Sequence, residues 1–197
     1  MKLSKDFYQR DDVVQIAREL LGMHLCTRIA GTVTKGVIVE TEAYSGRNDK
    51  ACHANNGLRS ERTEVMYHAG GKAYVYLIYG MHHMMNVVCN EEGKADAVLI
   101  RAIAPIAGLD VMEARRGISS ERKALTAGPG RLCKAMGITR DLYGEDLLGD
   151  RIWIEEGPTV PAEEIIAGPR VRVDYAGEDA LRPWRFSIQG NPWVSPD

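Results

Sequence analysis

The sequence predicts an α+β fold in a single domain, with a curved, mainly antiparallel sheet flanked by helices, and three observations carry this. The chain has 197 residues, enough for one domain with a sizeable core and too few for two comfortable ones, so residues 1–197 read as one unit. Its β-like segments come in runs and not in strict alternation with helices, which favours antiparallel pairing. Hydrophobic residues make up 45% and charged residues 26%, ordinary values that exclude disordered, collagen-like and fibrous classes.

Asp11 to Leu21 carries Val13, Ile16, Ala17, Leu20 and Leu21 at helical spacing, opens on an Asp able to cap and stops at Gly22. Met23–Ile29 and Val33–Tyr44 are β-branched and broken by Ala30-Gly31, the pattern of a hairpin. Further strands are expected over Ala73–Ile78, Asn86–Cys89 and Ala97–Ile103, the last stopped by Pro105. Two helices follow, Leu109–Arg116 ended by Gly117 and one that starts at Gly128-Pro129 and ends by Gly137. Short strands over Arg151–Glu155, Val171–Val173 and Arg185–Ile188 complete the series.

The N-terminus lacks the apolar run of a secretory signal, and no stretch reaches the length of a membrane span, so a soluble cytoplasmic protein is expected. Cys26, Cys52, Cys89 and Cys133 are scattered without metal-ligand spacing, which reads as four reduced, structural thiols and no metal site. Lys plus Arg total 25 against 27 for Asp plus Glu, a net charge of −2 that argues against a simple cationic nucleic-acid binder. That average conceals segregation. Arg115, Arg116, Arg122, Lys123, Arg131 and Lys134 sit in one stretch with Glu121 the single acid, and the chain from Thr139 to Glu164 is acidic. One basic surface able to follow a phosphate backbone is a reading of that stretch, and a solvated charged helix is the other.

The chemistry concentrates in three places. Strand alternation over Val37–Tyr44 puts Val37, Val39, Thr41 and Ala43 on one face and Glu40, Glu42 and Tyr44 on the other, just before a loop. Two like charges so close are expected to raise at least one carboxyl pKa, which suits a general base. Tyr74, Tyr76 and Tyr79 crowd one strand and the turn at Gly80: cross-strand packing is one reading, a stacking platform with a protruding aromatic the other. His53 follows Asp49 at a spacing that would pair them on a helical turn, and adjacent His82 and His83 diverge too far to share a metal. Gly128-Pro129-Gly130-Arg131 is like an anion-binding helix start, with Gly128, Gly130 and Arg131 as phosphate contacts, although it lacks the ending of a P-loop.

Together these motifs resemble the alkyladenine (3-methyladenine) DNA glycosylase family. The matching residues are Glu40-Thr41-Glu42-Ala43-Tyr44, Gly46, Asp49, Ala51 and His53; Tyr74-Val75-Tyr76 and Tyr79-Gly80-Met81-His82; Asn86-Val87; Arg101-Ala102; Gly128-Pro129-Gly130 with Leu132; and Phe186, Gly190 and Pro192-Trp193-Val194-Ser195. The resemblance starts at about Phe7 and runs nearly to the C-terminus. It implies a monofunctional base-excision enzyme that flips an alkylated, and in a second class a deaminated, purine out of duplex DNA and hydrolyses its N-glycosidic bond, with no cofactor and as a monomer. Glu42 would activate the water and Arg101 help place it. Tyr44, His53 and Tyr76 would sandwich the base, Asn86 would discriminate against guanine's exocyclic amine, and Tyr79 would wedge into the duplex with Met81 beside it. No lysine stands beside Glu42 to form a Schiff base, which fits hydrolysis without strand cleavage. Thr63 in place of an Asn, Ala69-Gly70 in place of a Pro-Gly turn, and Met84 in place of a frequent Cys depart from the family. Hydrolysis of free damaged nucleosides and non-catalytic sensing of damaged DNA are the rival functions.

Overall fold

The computed structural model describes residues 1–119, 121 and 123–196. Arg122, one of the six basic residues noted above, lies outside the described residues. Helix α1 (Lys5–Tyr8) is one turn that the sequence reading missed, and α2 (Val13–Glu19) starts where the Asp12 carboxylate accepts the Gln15 N–H at 2.9 Å. The cap is thus Asp12 and not Asp11. Strands β1 (His24–Ile29) and β2 (Thr32–Tyr44) form the expected hairpin. Its two-residue turn has Ala30 at φ 51° and Gly31 at φ 79°, the backbone that the twist of a tight hairpin demands.

Strands β3 (Ala73–Ile78), β4 (His82–Cys89) and β5 (Asp96–Ala107) extend the sheet, and β6 (Ile152–Glu155), β7 (Ile165–Gly168) and β8 (Arg185–Ile188) follow helices α3 (Leu109–Arg116) and α4 (Pro129–Met136). The strand order is β3-β4-β5-β2-β1-β6, with β8 paired to both β2 and β7, and every pairing is antiparallel. This is the α+β architecture the segment order predicts.

Several boundaries differ for physical reasons. β4 begins four residues earlier than expected, and β5 runs through Pro105, which sits opposite Gly36 where the ladder shifts register and no donor is demanded of it. β7 was unseen because its four residues, Ile165-Ile166-Ala167-Gly168, carry no alternation. Val171–Val173 is a turn and not a strand: Arg172 adopts φ 58°, which a strand does not allow.

The largest buried cluster joins Val13, Ile16 and Ala17 of α2, Met112 of α3, and Leu132, Cys133 and Met136 of α4 to Ile38, Ala43, Val98 and Ile100 of the sheet. All four cysteines are free and buried. A second cluster, around Met66, Tyr67, Tyr74 and Val88, anchors the loops between β2 and β3. Gly70 belongs to those loops: its N–H bonds the Asn90 carbonyl, and a Cβ there would lie 2.3 Å from the Tyr8 carbonyl oxygen. Gly70→Ala therefore overpacks backbone that cannot yield. The expected loss is about 1–3 kcal/mol, read as a lower urea midpoint with an unchanged m-value.

Candidate active site

Two irregularities in the β2–β5 ladder build the site. Ile38 pairs with Ile103 and Glu40 with Ala102, so Val39 is an extra residue; Thr41 then pairs with Ile100, so Arg101 is an extra residue on the facing strand. The alternation read from the sequence is correct for Thr41 and Ala43 against Glu40, Glu42 and Tyr44, but wrong for Val37. The bulge at Val39 exchanges the faces upstream of it, so Ile38 enters the core and Val37 is only half-buried. The same distortion aims Arg101 at both carboxylates. Its Nε donates to Glu40 Oε1 at 2.8 Å, its Nη1 lies 3.2 Å from Glu42 Oε1, and its Nη2 donates to Ser195 Oγ at 3.2 Å.

Glu40 is saturated. It also accepts from Arg185 Nε at 2.8 Å and from the Ser195 N–H and hydroxyl at 2.8 and 2.9 Å. Burial alone would raise its carboxyl pKa, but Arg101 and Ser195 hold it below the ordinary carboxylate value. The sequence-based expectation of a raised value fails for Glu40, because the two carboxylates do not face each other bare: a guanidinium lies between them. Glu42 is held by the Val171 N–H at 2.8 Å and the Tyr44 hydroxyl at 2.7 Å, in addition to Arg101. Burial and the neighbouring Glu42 carboxylate raise the Tyr44 phenol well above its ordinary value, so the phenol keeps the proton it donates.

Glu42 borders a cleft of about 650 Å³ that Tyr44, His53, Tyr76, Asn86 and Arg101 also line. The Tyr76 ring lies 5.1 Å from Tyr74 and 4.9 Å from His53, the latter nearly perpendicular. Asn86 stands opposite Tyr74 on β4 and donates to its carbonyl at 3.3 Å. At the mouth, Tyr79 and Gly80 form the β3–β4 turn with φ 53° and 69°, and Tyr79 is 69% exposed. A tyrosine held at positive φ with its ring in solvent is backbone strain at an exposed tip. Met81, 70% exposed, follows it but does not line the cleft. Gly128, Gly130 and Arg131 form the far wall at the start of α4, where Arg131 Nη1 donates to the Ala127 carbonyl at 3.1 Å and Gly130 packs against His82.

The methylpurine-DNA glycosylase family pattern matches residues 6–192 of this chain. A relative from Methanocella arvoryzae, provisionally named a 3-methyladenine DNA glycosylase, is 47% identical over 194 residues, covering 98% of this chain and 95% of its own. Relatives under the same provisional name from Clostridium acetobutylicum and Natranaerobius thermophilus are 48% and 45% identical, covering 99% of this chain and 98% and 99% of theirs. The chain belongs to the methylpurine-DNA glycosylase family. It is a DNA glycosylase, a hydrolase of N-glycosyl bonds whose substrate is DNA.

In this glycosylase the sequence-predicted residues Glu42, Tyr44, His53, Tyr76, Tyr79, Asn86, Arg101, Gly128, Gly130 and Arg131 converge on one cleft. Other expectations need correction. Asp49 does not pair with His53: it is taken by buried Arg170, whose Nη2 donates to Asp49 Oδ1 at 2.7 Å, and His53 Nδ1 meets the Tyr74 hydroxyl at 3.0 Å. Of the basic stretch, Arg115 and Arg116 point inward to main-chain carbonyls of Ala135, Ala124 and Leu125, whereas Lys123, Arg131 and Lys134 are exposed. Among the described residues no cluster of His, Cys, Asp or Glu is arranged to hold a metal, and no helix is long and apolar enough to cross a membrane.

The sequence reading also missed Arg170, whose guanidinium lies 4.8 Å from the Tyr44 ring centre, and the Val171 N–H on Glu42. Asp49, an acid between the small residues Gly46 and Ala51 of its motif, was the available signal for a buried cation elsewhere. The departures are absorbed locally: Thr63 Oγ1 accepts the Ser60 N–H at 2.9 Å, and Met84 stands opposite Tyr76 and lines the cleft.

Burial, and secondarily Arg62, lower the His53 pKa from 6.5 to about 4. The unfolded chain therefore takes up this proton first, and His53 makes the fold lose stability as pH falls from about 6.5 toward 4. An NMR titration of the His53 ring is expected to give a midpoint near 4. A midpoint near 6.5 contradicts a desolvated, neutral imidazole.

Proposed function

We propose that the whole chain acts as one monomeric, monofunctional glycosylase domain on duplex DNA. It extrudes alkylated purines such as 3-methyladenine, and deaminated purines such as hypoxanthine as a second class, and hydrolyses the N-glycosidic bond. The observation that carries this reading is the Glu42 carboxylate fixed by three donors at the border of an aromatic-walled cleft.

Glu42 serves as general base, with Arg101 placing the water. As the C1′–N bond lengthens, its electron pair goes to the purine, and a cationic alkylpurine leaves neutral. The water oxygen bonds to C1′ and its proton passes to Glu42, which leaves an abasic site with the strand intact. The fixed carboxylate also stabilises positive charge developing on the sugar, where a preoriented charge costs no reorganisation. Attack by a water with no protein nucleophile inverts C1′.

Tyr44, His53 and Tyr76 hold the extruded base, and Asn86 is placed on the same wall to read its edge. Tyr79, already outside the fold at the cleft mouth, replaces the extruded nucleotide in the stack, with Met81 beside it. Gly128, Gly130 and Arg131 at the start of α4, together with Lys123, contact phosphate. The exposed Tyr79 favours duplex DNA over free nucleosides, which need no wedge.

The test is single-turnover base release from duplexes carrying one 3-methyladenine or one hypoxanthine, with Glu42→Gln as comparison and the strand analysed for cleavage. Release by wild type alone with uncut strands supports the reading. Equal release by the variant refutes the Glu42 mechanism, strand cleavage by the enzyme above the uncatalysed breakage of abasic DNA refutes monofunctionality, and release confined to free nucleosides refutes the duplex substrate.

A further inference from the structure

The two aromatic plates of the proposed base pocket each carry a guanidinium, and the two cations differ in their compensation. Arg170 lies against Tyr44, but Asp49 neutralises it through two hydrogen bonds with both side chains fully buried. Arg62 lies 4.6 Å from the Tyr76 ring centre, and its Nη2 is 3.2 Å from Nε2 and 3.4 Å from Nδ1 of His53. No carboxylate among the described residues lies within ion-pair distance of Arg62. The neighbouring Arg59, in contrast, is paired with Glu64 at 2.6 Å.

The turn that carries Arg62 does not depend on it. Thr63 Oγ1 accepts from the Ser60 N–H and donates to the Leu58 carbonyl, which fixes the segment, and the Arg62 side chain is exposed. A cation is thus delivered to the very ring proposed to stack the extruded base, by a residue the fold does not require.

We propose that Arg62 determines lesion specificity by biasing the pocket against cationic bases and toward neutral ones. The inference rests on the reading of Tyr76 and His53 as base-stacking residues. The negative face of Tyr76 attracts a cationic purine, and the Arg62 charge both occupies that attraction and repels a second cation. A neutral purine meets no such repulsion. A solvent-screened like charge at this range shifts the preference by about three- to tenfold.

The experiment measures single-turnover release at subsaturating enzyme from duplexes with one 3-methyladenine, which is cationic, or one hypoxanthine, which is neutral. Wild type, Arg62→Gln and Arg62→Lys are compared. Loss of a positive charge near DNA weakens binding of both duplexes alike and cancels in the ratio of the two rates. The cationic-to-neutral ratio is expected to rise about three- to tenfold in Arg62→Gln and to stay within about twofold of wild type in Arg62→Lys. An unmoved ratio in Arg62→Gln, with both bases still released, overturns the role of Arg62 and leaves the pocket reading standing. A Lys variant that shifts as far as Gln overturns charge as the cause. If Tyr76→Ala releases both bases at the wild-type rate, the pocket reading itself fails and the inference with it.

Discussion

Glu42→Gln is expected to slow single-turnover base release by about 10²–10⁴-fold, the usual worth of a positioned general base, while DNA affinity stays within a few-fold of wild type. The substitution keeps the shape of the side chain and an oxygen that accepts from the Val171 N–H or the Tyr44 hydroxyl. What it removes is the capacity to take a proton and the negative charge facing the sugar. Arg101 stays in place, because Glu40 Oε1 at 2.8 Å and Ser195 Oγ at 3.2 Å still hold it. Base release is followed by chromatography and affinity by fluorescence anisotropy. A drop in affinity that matches the drop in rate contradicts a role confined to the chemical step.

The two carboxylates differ in their surroundings. Glu40 receives four donors from Arg101, Arg185 and the Ser195 N–H and hydroxyl, so its lone pairs are committed and its proton affinity is low. It does not border the cleft, whereas Glu42 does. Glu40 therefore ties Arg101 to the C-terminal segment, and under the proposed mechanism it positions Glu42 through that arginine. The site is a consequence of the irregular ladder: without an extra residue at Val39 and another at Arg101, Arg101 would continue the regular alternation and turn away from one of the carboxylates.

Most of the sheet was legible because hairpin turns and β-branched runs are local signals. Ala30-Gly31 and Tyr79-Gly80 mark their turns directly, and Gly117 and Gly137 mark helix ends. The aromatic wall was legible for the same reason, since Tyr74, Tyr76 and Tyr79 share one segment. Bulges have no such local signature, so the exchange of faces at Val39 was invisible. Long-range partners were invisible too: Val171 reaches Glu42 and Arg170 reaches Asp49 across more than half the chain, from a turn that β-branched residues disguise as a strand. The basic stretch misled in the opposite direction, because charge counted along the sequence ignores that the two arginines in the last turn of α3 reach main-chain carbonyls of later segments, Ala135 in α4 and Ala124 and Leu125 before it.

Arg170→Met is expected to destabilise the fold by about 3–5 kcal/mol, the cost of leaving one partner of a buried ion pair alone. Arg170 and Asp49 have no exposed side-chain surface, and Arg170 also donates to the carbonyls of Ala43 at 2.9 Å and Asp179 at 3.0 Å. Without it, Asp49 keeps only the N–H groups of Ser45 at 3.3 Å and Ala51 at 3.1 Å, too little to solvate a carboxylate in the interior. Asp49→Asn in the Arg170→Met background removes the stranded charge while keeping an acceptor for the two N–H groups. The double variant is accordingly expected to be more stable than Arg170→Met alone, read from urea midpoints. A double variant no more stable than the single one would assign the loss to packing against Tyr44 and Trp184, at 4.8 and 5.2 Å from the guanidinium, and not to the unpaired charge.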